Sequence, residues 1–281
     1  MDMSHWVDAY SVSQQTIILN DYLYRKNLES FSFLNGQQPR IYYYVGQSNC
    51  RAVPIADLPG DLAGDIVGCY ELQYVISNNV VYQDYELKNL SSRSDTSFGP
   101  ILRIGKLLYA YYNVPIIFVS CYRGGTGLAQ AAGATPDFNA ASVQKMYYEL
   151  KQKRTALLNY LSVFGVTPTE SGVIWIQGEQ DMQSDADSLA YQTNMQAFID
   201  TWRTDIGHAN AKFYLSKMTL PTPQYNATWI ARVRDAMDAI ATGDVNVKAI
   251  ETNTYSRYDG IHLDEAGCED YSDAMYTQLI L

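Results

Sequence analysis

From Ile41 onward, short apolar runs too brief for helices alternate with longer amphipathic stretches, and this alternation constrains the fold more than any other feature of the chain. The runs are Ile41 to Val45, Pro115 to Ser120, Gly172 to Ile176, Lys212 to Ser216 and Val245 to Ala249, and they read as buried parallel strands. The stretches Gly99 to Tyr112, Ala140 to Phe164, Asp187 to Thr204, Trp229 to Thr242 and Asp264 to Leu279 read as helices. Five such alternations, joined by right-handed crossovers, predict an α/β fold: a three-layer α/β/α sandwich around a five-stranded parallel sheet. In such a sheet the chemistry belongs on loops just past the carboxyl ends of the strands.

Residues 1–40 stand apart from this pattern. Ser13 to Lys26 reads as a helix and Asn35 to Pro39 as a polar turn, so the segment is expected to be a helical extension docked on a domain of residues 41–281 and available for assembly. With 20 Lys and Arg against 30 Asp and Glu, the formal charge is −10, which repels polyanions and excludes nucleic acid as a partner. At physiological salt the repulsion is screened over about 8 Å, so it disfavours strongly anionic polymers only mildly. No run approaches the roughly 18 apolar residues that span a bilayer. The N-terminus has no basic segment followed by an apolar run, hence no recognisable secretory signal. A cytoplasmic location or a place in a virion or tail assembly is the expectation. Cys50, Cys69, Cys121 and Cys268 are too widely spaced for a zinc or redox motif and read as free buried thiols, with one disulfide left open.

Three loops meet the strand-end criterion. After the first strand, Gly46-Gln47-Ser48-Asn49 puts a serine at a sharp turn, with its hydroxyl exposed and its N–H free beside it; a simple helix cap is the alternative. Before the last helix, Asp259-Gly260-Ile261-His262 lets a carboxylate fold back on an imidazole and fix its tautomer. Of the three histidines, His5 lies in the extension and His208 in a polar turn, which leaves His262 as the candidate base. The third loop, Gln177-Gly178-Glu179-Gln180-Asp181, admits a glycosidase pair, a metal site or a solvated helix start.

Together the loops resemble the SGNH/GDSL hydrolase superfamily, in the carbohydrate O-acetylesterase branch that includes sialate O-acetylesterases and acetylxylan esterases. That branch carries Gly-Gln-Ser-Asn, here Gly46 to Asn49, then Gly-Gly-Thr, here Gly124 to Thr126, then Gln-Gly-Glu-x-Asp, here Gln177 to Asp181, and Asp-x-x-His, here Asp259 to His262. Phe98-Gly99-Pro100 also matches, and the blocks come in family order. Cys50 stands where relatives often have methionine, and Gln180 where a small residue is common.

The resemblance implies a flavodoxin-like fold and a serine esterase acting on an acetylated carbohydrate. Ser48 is the implied nucleophile, His262 the base and Asp259 its orienting acid. The oxyanion is implied to sit among Ser48 N–H, the Gly124-Gly125 turn and the Gln177 amide, with Gln47, Asn49 and Glu179 in support. Glu179 could also approach His262. Arg123 could meet a substrate carboxylate or pair with Asp181 or Asp259. Tyr122, Tyr255 and Tyr258 lie on the same loops as candidate sugar contacts. The mechanism needs no metal or cofactor. A lipid esterase of the same superfamily is disfavoured by Gln47 and Gln177. The reading from another class is a binding module of a viral tail or cell-surface assembly. The sequence leaves the acetylated sugar and the oligomeric state open.

Overall fold

A computed structural model describes residues 31–77, 80–92, 97–133 and 135–281. The expected helix Ser13 to Lys26 lies outside the described residues. Strand β1 (Arg40–Gly46) is followed by the two-residue β2 (Val53–Pro54), the long pair β3 (Asp65–Ser77) and β4 (Val80–Ser91), and β5 (Ser97–Phe98). Then come α1 (Ile101–Tyr112), β6 (Ile116–Tyr122), α2 (Met146–Val163), β7 (Thr169–Ile176), α3 (Asp185–Ile206), β8 (Phe213–Lys217), α4 (Ala227–Gly243), β9 (Val247–Glu251) and α5 (Glu265–Leu279).

The main sheet runs β4-β3-β6-β1-β7-β8-β9, seven strands rather than the expected five. All five expected strands are present and parallel; the addition is β3, parallel to β6 through Cys69 to Leu72, and β4, antiparallel to β3 at the edge. A mixed sheet therefore replaces the purely parallel one. The expected helix from Ala140 begins six residues later, at Met146, because Asp137 accepts the N–H of Asn139 and of Ala131 and holds that stretch as a loop.

Alternation along β1 separates two cores. Ile41, Tyr43 and Val45 face one layer with α2, α3 and α4, while Tyr42 and Tyr44 face the other with α1 and α5. Phe31 and Leu34 are buried in the first layer, so the chain just ahead of β1 packs on the domain. β1 lies at the centre, where the chain passes from one half of the sheet to the other. Such a switch point opens a crevice at the carboxyl ends of the strands.

Candidate active site

Four of those strand ends meet in that crevice. β1 ends at Gly46, whose backbone runs so close to β7 that an added Cβ would lie 2.0 Å from the Ile176 carbonyl oxygen. Only glycine fits there, and the next peptide is locked by Gln47 N donating to Ile176 O at 2.9 Å. The chain then turns through a 3-10 helix, Ser48–Cys50, placing Ser48 at its first position, where a backbone N–H has no partner within the turn.

A histidine reaches this turn from beyond β9. His262 Nε2 lies 2.8 Å from Ser48 Oγ, and His262 Nδ1 lies 2.7 Å from Asp259 Oδ2. Asp259 Oδ1 also accepts the backbone N–H of His262 at 2.7 Å and of Ile261 at 2.9 Å, around a turn that Gly260 makes with φ +81°. Burial pushes the Asp259 carboxyl up, but the His262 N–H, the His262 ring and the Ile261 N–H outweigh it and hold it below the ordinary carboxylate range. An ionised carboxylate on Nδ1 leaves Nε2 as the acceptor facing the hydroxyl.

Asn49 ties three loops together. Its Nδ2 donates to Glu179 Oε1 at 2.7 Å and to Ile261 O at 3.2 Å, and its Oδ1 accepts Leu263 N at 3.0 Å. Glu179 is buried, and its carboxyl is pushed up by burial against the pull of Asn49, His262 and Arg257. Its hydrogen bond goes to Asn49, while Asp259 takes the histidine. Gln47 Oε1 accepts Gln180 N at 3.4 Å, a longer bond to the same third loop.

Gly124 approaches Ser48, since a Cβ built there would lie 4.0 Å from Ser48 Cβ, and Gly125 adopts φ +69°. Gln177 does not join them in the expected way. It is fully buried, and its Nε2 donates to Thr126 O at 3.1 Å and to Asp181 Oδ2 at 2.5 Å. Both amide hydrogens are thereby used within the protein, so the side chain has none to offer a substrate oxygen. Asp181 in turn accepts Leu128 N and Ala129 N, each at 3.0 Å.

Of the aromatic candidates, Tyr122 packs edge-on against Tyr44, 5.9 Å between centroids, and Tyr255 packs into the α1/α5 layer. Tyr258 is 52% exposed and lies nearly parallel to the His262 ring, 5.8 Å away. Arg123 N donates to Gly46 O at 3.2 Å, which holds its backbone beside the Ser48 turn; the residue is exposed. The pairing of Arg123 with Asp181 or Asp259 is not found: Asp181 binds Gln177 and backbone N–H groups, and Asp259 binds His262. Sequence reasoning passed over Glu251, Arg234 and Arg257, which hold the His262 loop from behind; a charged residue at the end of β9 is the one signal they left. Among the described residues, no cluster of potential ligands could hold a metal ion, and the four cysteines are free and buried.

A family profile described as "carbohydrate esterase, sialic acid-specific acetylesterase" matches residues 39–280. The chain belongs to this carbohydrate esterase family. It is therefore a carboxylic ester hydrolase. Among curated proteins, no sequence matches it. Its fold is similar to that of a protein from Arabidopsis thaliana, with TM-score 0.64 and 17% identity over 86% of this chain and 97% of that one. NanS gives TM-score 0.61 and 14% identity over 87% and 97% of the two chains. A carbohydrate acetylesterase from Xanthomonas citri, XAC1771, gives TM-score 0.59 and 19% identity over 85% of this esterase and 55% of its own length. Among the described residues, no helix of the esterase is long and apolar enough to cross a membrane.

Proposed function

We propose that this esterase removes O-acetyl groups from a carbohydrate through an acyl-serine intermediate. The observation that carries the reading is the unbroken line Asp259, His262, Ser48, with contacts of 2.7 and 2.8 Å. Ser48 Oγ attacks the acetyl carbonyl carbon as its proton passes to His262 Nε2. The tetrahedral oxyanion is met by Ser48 N–H and by backbone N–H groups of the Gly124-Gly125 turn. When it collapses, the ester C–O bond breaks and His262 returns the proton to the departing sugar oxygen. Water, deprotonated by His262, then attacks the acetyl-serine, and acetate leaves as Ser48 regains its proton.

The exposed Arg123, its backbone held beside the Ser48 turn, supports a substrate that carries its own carboxylate, which a guanidinium can bind bidentately. An O-acetylated sialic acid has that chemistry and accords with the family description. Tyr258 supplies an exposed face on which a pyranose ring can stack.

The test is hydrolysis of p-nitrophenyl acetate by the wild type and Ser48→Ala, with circular dichroism to establish that both fold, followed by acetate release from O-acetylated sialic acid, acetylated xylan and acetylated bacterial polysaccharide. Turnover by the wild type and a loss of several orders of magnitude in Ser48→Ala is expected, with the sialic acid preferred. No turnover on any ester would overturn the reading in favour of a binding module.

A further inference from the structure

Behind the Gly124-Gly125 turn lies a buried chain of hydrogen bonds that the proposed chemistry does not use. Trp175 Nε1 donates to Tyr191 OH at 3.1 Å, and Tyr191 OH donates to Gln177 Oε1 at 3.2 Å. Gln177 Nε2 passes the chain to Asp181 and to Thr126 O, and Asp181 receives the N–H groups of Leu128 and Ala129. Trp175 and Tyr191 are fully buried in the core of β7 and α3, so the chain runs from the rigid interior to one short stretch of loop.

That stretch, Thr126 to Ala129, follows directly on the two glycines. Among the described residues no helix lies between β6 and Met146, and glycine resists few rotations of its own peptide planes. The aim of the Gly124 and Gly125 N–H groups therefore depends on where the residues after them are anchored. An acceptor-only side chain suits the anchor, because Leu128 N, Ala129 N and Gln177 Nε2 all point their hydrogens at it. The anchor is retained at a cost: Asp181 is 1% exposed, and burial raises its carboxyl to about 6 despite the donors around it.

We propose that Asp181, itself oriented by Gln177, is a positioning residue that clasps the Thr126–Ala129 loop and so aims the Gly124-Gly125 backbone N–H groups at the tetrahedral oxyanion. The inference rests on the esterase reading. Gln177 then acts one step behind the oxyanion, not on it.

The clasp acts on the tetrahedral state and leaves ground-state binding alone, which separates it from a general loss of structure. The experiment compares wild type, Asp181→Asn and Gln177→Met in kcat and KM for p-nitrophenyl acetate, in thermal melting, and in inhibition by phenylboronic acid. In the inhibited form Ser48 Oγ adds to the boron, its proton passing to His262, and the boronate mimics the oxyanion. The expected result for Asp181→Asn is a fall in kcat of roughly 10- to 100-fold with KM within about twofold, and a matching rise in the boronate inhibition constant. Gln177→Met is expected to fall in the same two quantities by a smaller factor, and it carries the test if Asp181→Asn does not fold. Folded variants with unchanged kcat, or a fall in kcat without a matching loss of boronate affinity, would overturn the clasp while the esterase reading stands. A wild type that neither turns over ester nor binds the boronate would overturn both.

Discussion

Asn49 makes more of the site's connections than Ser48 beside it. Removing its amide leaves the buried Glu179 Oε1 and the Leu263 N–H without the partners they have now. Asn49→Ala is therefore expected to lose about 2–3 kcal/mol of stability, a fall in Tm of roughly 5–10 °C, and to lower kcat as His262 drifts from Ser48. Calorimetry beside p-nitrophenyl acetate kinetics would check both. At Tyr258 the expectation is of the opposite kind. A ring stack contributes about 0.5–1.5 kcal/mol, so Tyr258→Ala should raise KM for an acetylated sugar by roughly 2- to 12-fold, with kcat nearly constant and ethyl acetate hydrolysis unaffected. An unchanged KM would remove the ring from the substrate's path. Residue identity pointed to Ser48, Asp259 and His262 as candidates because serine, aspartate and histidine at strand ends suggest one chemistry, and the structure brings the three into contact. It could not disclose the direction of Gln177, since an amide serves equally as a pocket donor or an internal link, and only the position of Asp181 and Thr126 O decides which.

Among the elements, the loop between β9 and α5 has to hold His262 without the help of regular structure. Glu251 at its start accepts Thr252 N at 2.8 Å and Asn253 N at 2.9 Å and is paired with Arg234, which also donates to Met218 O at 3.0 Å. Arg257 closes the loop on itself through Tyr255 O at 2.7 Å and Thr252 O at 2.9 Å. Burial acts to raise the Glu251 carboxyl, but Arg234 and the two backbone N–H groups bring it down to about 2. A depressed carboxyl stabilises the fold above its unfolded pKa of about 4.3, and that contribution is lost as pH falls toward 2. With its side chain 52% exposed, solvent screening limits the contribution to about 1 kcal/mol or less. Glu251→Gln should thus melt roughly 2 °C below wild type at pH 7, and melting curves of the two should converge between about pH 4.3 and pH 2. The five parallel strands were legible as continuous apolar runs because both faces of each are covered. β3 and the edge strand β4 paired with it were not, because Gly68, at φ +71°, and register shifts between Asp65 and Tyr70 and between Tyr74 and Ile76 break the regular two-residue alternation of the pair. The runs Tyr74-Val75-Ile76 and Val80-Val81-Tyr82 were the hairpin signal the sequence held.

At the scale of the whole molecule, the sheet order places β1 between β6 and β7, so the Ser48 turn has the glycine loop on one side and the third loop on the other. His262 reaches it only from beyond β9, at the opposite edge of the sheet. The Ser48 to His262 contact and the Asn49 to Leu263 contact each close a separation of 214 residues. Contacts of such span form late, because the chain entropy lost in closing them is recovered only when the intervening strands and helices have docked. Esterase activity is therefore a clock for the last step of folding. On refolding from denaturant, far-ultraviolet dichroism should recover first and turnover of p-nitrophenyl acetate should lag behind it. Ester turnover would then count finished molecules, whereas helix and strand signals also count those whose two ends have yet to meet.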